Sequence, residues 1–227
     1  MEQSGQSHWI PLSDLMTGLM MIFMLLAAVY MLRVEQTTTL VVREYEVTRE
    51  DLLRALQEEF QKDLKQWDAD FLGDMTLRFR NPEVLFATGS AVLRPRFQEI
   101  LSSFFPRYLA ILTSEKFRPV VKEIRIEGHT SSFWRNATNV QDAYIRNMDL
   151  SQSRTRAALE YILKLSEVSD SQTWLIQHMT ANGLSSSRPI TKNDGELDEL
   201  ASQRVEFRIV TNADEQLNSI SAQLATK

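Results

Sequence analysis

The sequence contains no cysteine and only three histidines. The lack of cysteine excludes disulfides, thiolate nucleophiles and cysteine-based zinc sites. His8, His129 and His178 fall in unrelated segments, and the sequence has neither a Gly-x-Ser-x-Gly nucleophile motif nor a phosphate-cradling glycine loop. We therefore predict no catalytic activity, no metal site and no cofactor.

A surplus of basic residues is also lacking, since the formal net charge is -5. Nucleic-acid binding requires a basic face, so this function is not favoured. The acidic stretch 193–198 does not have the ligand spacing of a calcium loop and is typical of a solvated loop. The charged residues are unevenly distributed, because none lies between Leu15 and Leu32, whereas the chain from Arg33 onward is densely charged.

This uncharged run predicts a transmembrane helix over residues 9–32, because about 20 apolar residues cross a 30 Å hydrocarbon core. A signal peptide is the rival interpretation. Signal peptides have a basic N-terminal region and a small-x-small cleavage site, and this sequence has neither. We therefore expect a retained helix preceded by a short segment, residues 1–8, that is not cleaved. The distribution of basic residues does not fix the orientation of the helix.

Asp14 is the one carboxylate in the predicted span. A carboxylate in a membrane helix is costly unless it faces protein or water, so it marks an ion path by default. Thr17 and Gly18 lie over Asp14 at i+3 and i+4, where Thr17 offers a hydroxyl and Gly18 permits close helix approach. The alternative is that Asp14 caps the helix N-terminus in the headgroup region. The residues alone leave both interpretations open.

The string from Pro11 to Met21, Pro-Leu-Ser-Asp-Leu-Met-Thr-Gly-Leu-Met-Met, resembles the single transmembrane helix of MotB-type stator subunits. In that family the aspartate carries the transported ion, so the resemblance implies ion translocation through Asp14 with Thr17 beside it. It also implies an inner-membrane protein with a cytoplasmic N-terminus and a periplasmic C-terminal domain. The expected ion is a proton rather than sodium.

Residues 33–74 are predicted to form a helical linker. Their apolar residues recur at spacings of three and four, which indicates a one-sided helix. The helix could pack on its own domain, or it could pair with a second copy or plug a channel. The apolar residues are Val47, Leu53, Leu56, Phe60, Leu64 and Trp67.

From residue 75 onward short strands alternate with helices, which predicts an α/β sandwich, βαβαβ plus a further strand. The predicted strands are Thr76–Phe79, Val84–Phe86, Val120–Glu127, His178–Gly183 and Arg204–Val210, and the predicted helices are Phe97–Leu112, bent at Pro106, and Leu150–Leu165. Thr88 to Ser90 is predicted as a turn, and residues 213–227 as a tail.

Four motifs resemble the OmpA C-terminal-like peptidoglycan-binding domain over residues 75–212. In that family the arginine of the Leu-Ser-x-x-Arg motif pairs with a carboxylate of the peptide stem, which carries over to Arg154. Guanidinium groups bind carboxylates through two parallel hydrogen bonds. The resemblance implies a peptidoglycan site formed by Thr130, Ser131, Asn147, Leu150, Arg154 and Arg204. The motifs cover residues 86–93, 126–130, 147–154 and 203–209.

One position departs from the family pattern. The family has aspartate after Gly-His-Thr, where it holds the amino group of diaminopimelate, and this chain has Ser131. A charge-assisted contact of this kind contributes about 1.5 to 3 kcal/mol, so we expect weaker or altered wall binding. Asp142 or Asp149 could replace the missing acid. His129 is interpreted as a structural residue.

Together the two resemblances imply a stator subunit, present as a homodimer inside a ring of a multi-span subunit of the ZorA or MotA type. Ion flow through Asp14 would drive rotation of the ring, and the C-terminal domain would anchor the subunit to peptidoglycan. Within the family the N-terminal string is most similar to ZorB, the B subunit of Zorya anti-phage defence systems. The alternatives are a flagellar stator subunit, a passive tether between inner membrane and wall, and an exported soluble protein.

Overall fold

The structure, a computed structural model, describes the backbone of residues 9–80 and 82–212, with side chains for residues 13–33, 47–80 and 84–212. It divides into two compact units, residues 1–46 and 47–227. The predicted N-terminal segment 1–8 and the predicted tail 213–227 lie outside the described residues. The first unit contributes most of α1, a 52-residue helix that spans Trp9–Phe60.

The last turns of α1 belong to the second unit and pack on it. Leu52, Leu56 and Phe60 are completely buried there, and Phe60 lies 5.3 Å from Phe104, measured between ring centroids. Arg107 reinforces this contact by donating hydrogen bonds to the Glu59 carboxylate and to the Asp63 carboxylate. From Leu52 onward the predicted linker therefore packs on its own domain, one of the two alternatives.

A five-stranded mixed sheet with the order β1-β2-β7-β3-β4 forms the centre of the second unit. Strand β7 lies between β2 and β3 and is antiparallel to both, whereas β3 and β4 are parallel. A separate two-stranded hairpin consists of β5 and β6. The strands are β1 Ala69–Phe71, β2 Thr76–Phe79, β3 Val121–His129, β4 Met179–Gly183, β5 Ile190–Thr191, β6 Leu197–Asp198 and β7 Arg204–Thr211.

Two long helices, α4 (Pro95–Leu112) and α5 (Val140–Ile162), cover the sheet. Helix α4 presents eight buried side chains, among them Phe97, Phe104 and Phe105, to a cluster of aromatic rings that includes Phe79 and Phe207. Edge-to-face ring pairs of this kind add about 0.5 to 1.5 kcal/mol each beyond the burial of their area. The remaining helices are α2 Leu64–Trp67, α3 Pro82–Leu85, α4 Pro95–Leu112, α5 Val140–Ile162, a 3-10 helix Ser166–Ser171, α6 Gln172–His178 and α7 Glu199–Ser202.

Two glycines let α5 approach the sheet. A Cβ atom on Gly183 would lie 2.4 Å from the backbone nitrogen of Gln152, and one on Gly128 would lie 2.7 Å from Cγ2 of Thr155. Since real Cβ atoms do not approach other atoms so closely, both positions need glycine. This close approach holds α5 against β3 and β4 and thereby fixes the functional side chains of α5.

The structure confirms one apolar N-terminal helix, a helical linker and the α/β class of the C-terminal domain, and it corrects some elements. The segment Val84–Phe86 is not a strand, because α3 ends at Leu85 and Phe86 forms only an isolated bridge with Leu93. Helix α5 begins ten residues before the predicted start, at Val140. Six elements were not predicted: the strands β1, β5 and β6, the helices α6 and α7, and the 3-10 helix. The acidic stretch 193–198 connects β5 to β6 and ends in β6.

Candidate functional site

A cavity of about 530 Å³ opens where β3 and α5 meet the loop that joins them. Its wall contains Thr130, Ser131, Asn147, Leu150 and Arg154, which are five of the six residues predicted for the peptidoglycan site. The motifs that supply them are separated in sequence, and the packing of α5 on β3 brings them together. The wall is completed by Phe86, Thr88, Gly89, Phe133, Trp134, Arg135 and Gln203.

Arg154 is the buried cation of this cavity, with 7% of its surface exposed. Its Nε donates to the carbonyl of Ser90 at 2.9 Å, one Nη donates to the carbonyl of Ala87 at 3.3 Å, and the guanidinium lies over the Phe86 ring, 5.0 Å from the centroid. Burial lowers the pKa of Arg154. Among the described residues no carboxylate forms an ion pair with this arginine. The site therefore presents an oriented positive charge that an anion can neutralise.

The loop 131–139 forms one side of the cavity and is held at several points. Nδ2 of Asn147 donates to the carbonyl of Phe133 at 3.2 Å, and the backbone N–H of Ser132 donates to the carboxylate of Glu199 at 3.1 Å. Asn136 adopts a left-handed backbone conformation with φ of 62°, which asparagine tolerates better than most residues. The loop thus carries Trp134 and Arg135 into the wall in a defined conformation.

The structure does not support either proposed replacement for the missing acid. Asp142 accepts hydrogen bonds from the Thr138 backbone and from Arg146, contacts that hold its pKa below the usual range, and it is not part of the cavity wall. Asp149 is exposed and also lies outside the wall. Ser131 lines the cavity, and its hydroxyl is 3.4 Å from the Phe133 carbonyl. Within the described wall there is no carboxylate.

Arg204 is not part of the cavity wall, contrary to the predicted site. It is buried in β7, where its Nε donates to Oε1 of Glu206 at 2.7 Å and Nη1 donates to the carbonyls of Ser202 and Arg188. Its side chain therefore pairs within the sheet instead of facing a ligand. Successive side chains of a strand point to opposite faces of the sheet, which explains why an arginine of a binding motif can lie outside the cavity wall.

Glu206 is the centre of a buried charge cluster in the sheet. Arg78 also donates to its Oε1 at 2.7 Å, and Nε2 of His129 lies 3.2 Å from its Oε2. Burial acts to raise the pKa of Glu206, but the contacts with His129 and Arg204 outweigh it and hold the pKa well below its usual range. Glu127, His129 and Glu206 are close enough to share a metal ion. Their carboxylates already pair with arginines, and His129 is accordingly interpreted as structural.

We expect Glu206→Gln to lower the free energy of unfolding by about 3 kcal/mol at neutral pH, because it leaves buried arginine charge uncompensated. The pKa of Glu206 is lower in the folded protein than its ordinary value of 4.5, so the carboxylate stabilises the fold at pH values above 4.5. That contribution is lost as the pH falls below 4.5.

Urea unfolding of the full chain in detergent, followed by tryptophan fluorescence, measures both effects. The control, Glu160→Gln at the exposed pair with Arg156, should change stability by less than about 0.5 kcal/mol. Equal acid sensitivity of the wild type and Glu206→Gln would refute this assignment.

The first unit carries the second predicted site. Ser13–Arg33 is long and apolar enough to cross a membrane, with mean hydropathy 2.3, and every side chain in this segment is exposed. Because α1 begins at Trp9, Asp14 lies more than one turn inside the helix and is not an N-cap. The Thr17 hydroxyl donates to the carbonyl of Ser13 at 2.8 Å. The capping interpretation of Asp14 is therefore wrong, and its role in ion transport remains a prediction.

Residues 85–202 match the OmpA family, in agreement with the predicted domain type. Over 223 residues the chain is 43% identical to the Zorya protein ZorB of Escherichia coli. The alignment covers 96% of this chain and 94% of that protein. The chain belongs to the ZorB family. The predicted membership of the MotB/OmpA-like family, and of its ZorB branch, is confirmed.

One solved structure supports the fold of the C-terminal domain. A putative MotB-like protein from Desulfovibrio vulgaris aligns with a TM-score of 0.54 and 22% identity, covering 74% of this chain and 94% of that one. The periplasmic domain of Helicobacter pylori MotB aligns with a TM-score of 0.46 and 17% identity, covering 70% of this chain and 89% of that one. The ZorB-family chain thus combines one apolar N-terminal helix with a MotB-like, OmpA-type C-terminal domain.

The cavity contains residues that the sequence analysis did not assign. Phe133 and Trp134 are aromatic residues of the loop between β3 and α5, and nothing in the sequence placed them beside Arg154. Arg135 gave no signal, because a lone arginine in a polar loop is ordinarily a solvated charge. Phe86 belongs to a predicted motif, and its role as the surface under the guanidinium follows only from the packing.

Proposed function

We propose that this chain is the B-type subunit of an ion-driven membrane motor that is anchored to peptidoglycan and acts in anti-phage defence. The observation that carries the proposal is the combination, in one ZorB-family chain, of an apolar helix containing Asp14 with a domain that presents the unpaired cation Arg154 in a cavity. Each part alone fits many membrane or wall proteins. Their combination fits a chain that has both a membrane partner and a wall ligand. The role is non-catalytic.

The proposed transported ion is a proton carried by Asp14. A carboxylate in hydrocarbon is costly unless it is neutralised or faces protein or water, and we propose that a ring of a multi-span ZorA/MotA-like subunit surrounds it. Protonation removes the negative charge of Asp14 and deprotonation restores it, which changes its attraction to polar groups of the ring. Two copies of this chain would act within the ring, and repetition of this cycle would rotate the ring in steps.

The proposed anchor is the cavity of the C-terminal domain, which would lie in the periplasm with the N-terminus in the cytoplasm. Arg154 has an Nη1 group without a hydrogen bond among the described residues, so it has donors for a carboxylate of the peptide stem. Charge-assisted hydrogen bonds of this kind are about twice as strong as neutral ones. Asn147 and Leu150 border the same space and would position the peptide.

A flagellar stator subunit would share this mechanism, but the similarity to a Zorya protein over 96% of the chain supports the defence setting. A passive tether is less favoured, because a tether has no need of a carboxylate within the apolar segment Ser13–Arg33. An exported soluble protein would not need a 21-residue apolar segment, Ser13–Arg33, in its mature form.

Purification of the intact chain from inner membranes tests this proposal. We expect the chain to be recovered with a multi-span membrane subunit, and native mass spectrometry should find two copies of this chain in each ring. Omission of the partner gene provides the control for non-specific association in detergent. Recovery of the chain in the soluble periplasmic fraction, or from the membrane without any partner, would contradict a motor subunit.

A further inference from the structure

The charge of the cavity wall is one-sided. The wall includes Arg154 and Arg135 and, among the described residues that line it, no aspartate or glutamate. Ser131 occupies the position at which an acid could accept an ammonium group. The nearby carboxylates of Asp142 and Glu199 are occupied, the first by Thr138 and Arg146 and the second by Ser132. A ligand that enters the cavity therefore meets two positive charges and no negative one.

Arg135 is directed to the cavity by the conformation of its loop. The neighbouring Phe133 carbonyl accepts from Asn147, the N–H of Ala137 donates to the carbonyl of Trp134 at 3.2 Å, and Asn136 is left-handed. Arg135 itself is exposed and forms no ion pair or hydrogen bond with another described residue. Its guanidinium is consequently available to a ligand, and the backbone that carries it is restrained.

The surroundings of the two cations strengthen their effect on a bound anion. Phe86, Phe133, Trp134 and Leu150 contribute apolar surface to the wall. Charges interact more strongly next to apolar surface than in bulk water, because the effective dielectric constant is lower. An orphaned polar atom adds to this picture, since the buried Thr130 hydroxyl has no hydrogen-bond partner within the described part of the chain. The cavity has the features of a receptor for an anionic ligand.

We infer that the cavity binds a peptide that bears two free carboxylates, one held by Arg154 and the other by Arg135, without reading an amino group. This inference rests on the proposed wall-binding function of the cavity and specifies its ligand. Arg154 provides the buried contact, and Arg135 provides the more exposed one. Selection between wall peptides then depends on whether their carboxylates are free or amidated.

A titration of the full chain in detergent with defined stem peptides tests the inference. The probes are the tripeptide Ala-D-Glu-diaminopimelate, its forms amidated at one carboxylate at a time, and a form acetylated at the free amino group of diaminopimelate. The tripeptide has three free carboxylates, and we expect two of the three single amidations to weaken binding about tenfold each, as the loss of a charge-assisted contact predicts. Acetylation should change the dissociation constant less than about twofold, since no wall residue offers an acid.

Arg135→Ala assigns the second contact. This variant should bind the unmodified peptide as tightly as one of the two amidated peptides that bind the wild type weakly, because the carboxylate that it no longer holds has become irrelevant. Arg135→Lys should restore part of the preference. Arg118→Ala, an exposed arginine before the start of β3 and hence at the far end of that strand, should bind like the wild type. Thermal midpoints show whether each variant is folded.

The outcomes separate the inference from the function on which it rests. Binding of the unmodified peptide with sensitivity to only one amidation, or a tenfold loss on acetylation, would overturn the two-carboxylate site and leave wall binding intact. Equal affinity of Arg135→Ala and wild type for every probe would do the same. Failure of the folded wild-type chain to bind any stem peptide would overturn both the inference and the proposed anchor.

Discussion

Asp14→Asn is expected to reduce ion flow and phage protection to the level of cells that lack the chain, while the complex still assembles. Asparagine has nearly the same shape as aspartate but cannot take up and release a proton. The change therefore removes the proposed chemistry and leaves the packing of α1. Proton flux, measured with a pH-sensitive dye in inverted membrane vesicles that also contain the partner subunit, reports the ion flow. Plaque counts report the phage protection.

Asp14→Glu and Thr17→Ala sharpen this test. Glutamate keeps the carboxylate on a longer side chain, so we expect partial flux. Thr17→Ala should have a smaller effect than Asp14→Asn, because the Thr17 hydroxyl is already bonded to the Ser13 carbonyl within the helix. A sodium gradient applied in the same vesicles distinguishes the two candidate ions. Full protection by the Asp14→Asn variant would show that the chain is a passive tether.

Arg154→Ala should weaken the binding of stem peptide by about thirtyfold or more, because the loss of one partner of a buried charge pair costs about 2 to 5 kcal/mol. Isothermal titration of the full chain in detergent measures this loss, and pull-down with purified peptidoglycan sacculi confirms it. The same variant should lose protection in cells if the motor needs its anchor. Arg156→Ala is the matched control, since Arg156 lies on the same helix, is exposed and pairs with Glu160.

A second variant guards against a simple loss of folding at this position. Arg154 also packs on Phe86 and donates to two carbonyl groups, so alanine removes structural contacts as well. Lysine keeps the charge and much of the aliphatic stem but cannot form two parallel bonds to a carboxylate. We expect Arg154→Lys to remain folded and to bind peptide at least tenfold more weakly than the wild type. Unchanged affinity in this folded variant would argue that Arg154 is only structural.

The elements that the sequence predicted well are those with strong local signals. Helix α4 follows its apolar spacing, and β2, β3 and β7 follow their alternation, because one face of each is buried in a continuous core. The start of α5 was missed because its first turns are largely exposed. Val140 and Ile145 are apolar but exposed, so they do not continue the buried apolar face of the helix. Its N-cap, Asn139, accepts a hydrogen bond from the Asp142 backbone. That start signal was present in the sequence.

The site was predicted in part, and the difference has a physical cause. Motif residues such as Asn147 and Arg154 are seven positions apart on one helix, so they share a face and both line the cavity. Arg204 also belongs to a motif, but its surroundings in β7 depend on the register with β2 and β3, which the sequence does not specify. The contribution of Arg135 depends on the conformation of a loop. Loop conformations are set by distant anchors such as Glu199.

The position of β7 in the sheet also constrains how the domain is made. Strand β7, the last of the described strands, lies between β2 and β3, so these two earlier strands cannot be joined until residue 211 is available. Long-range pairings of this type form slowly, because a large loop must close first. For a domain that is threaded through the membrane as proposed, we expect the chain to stay translocation-competent until its end emerges.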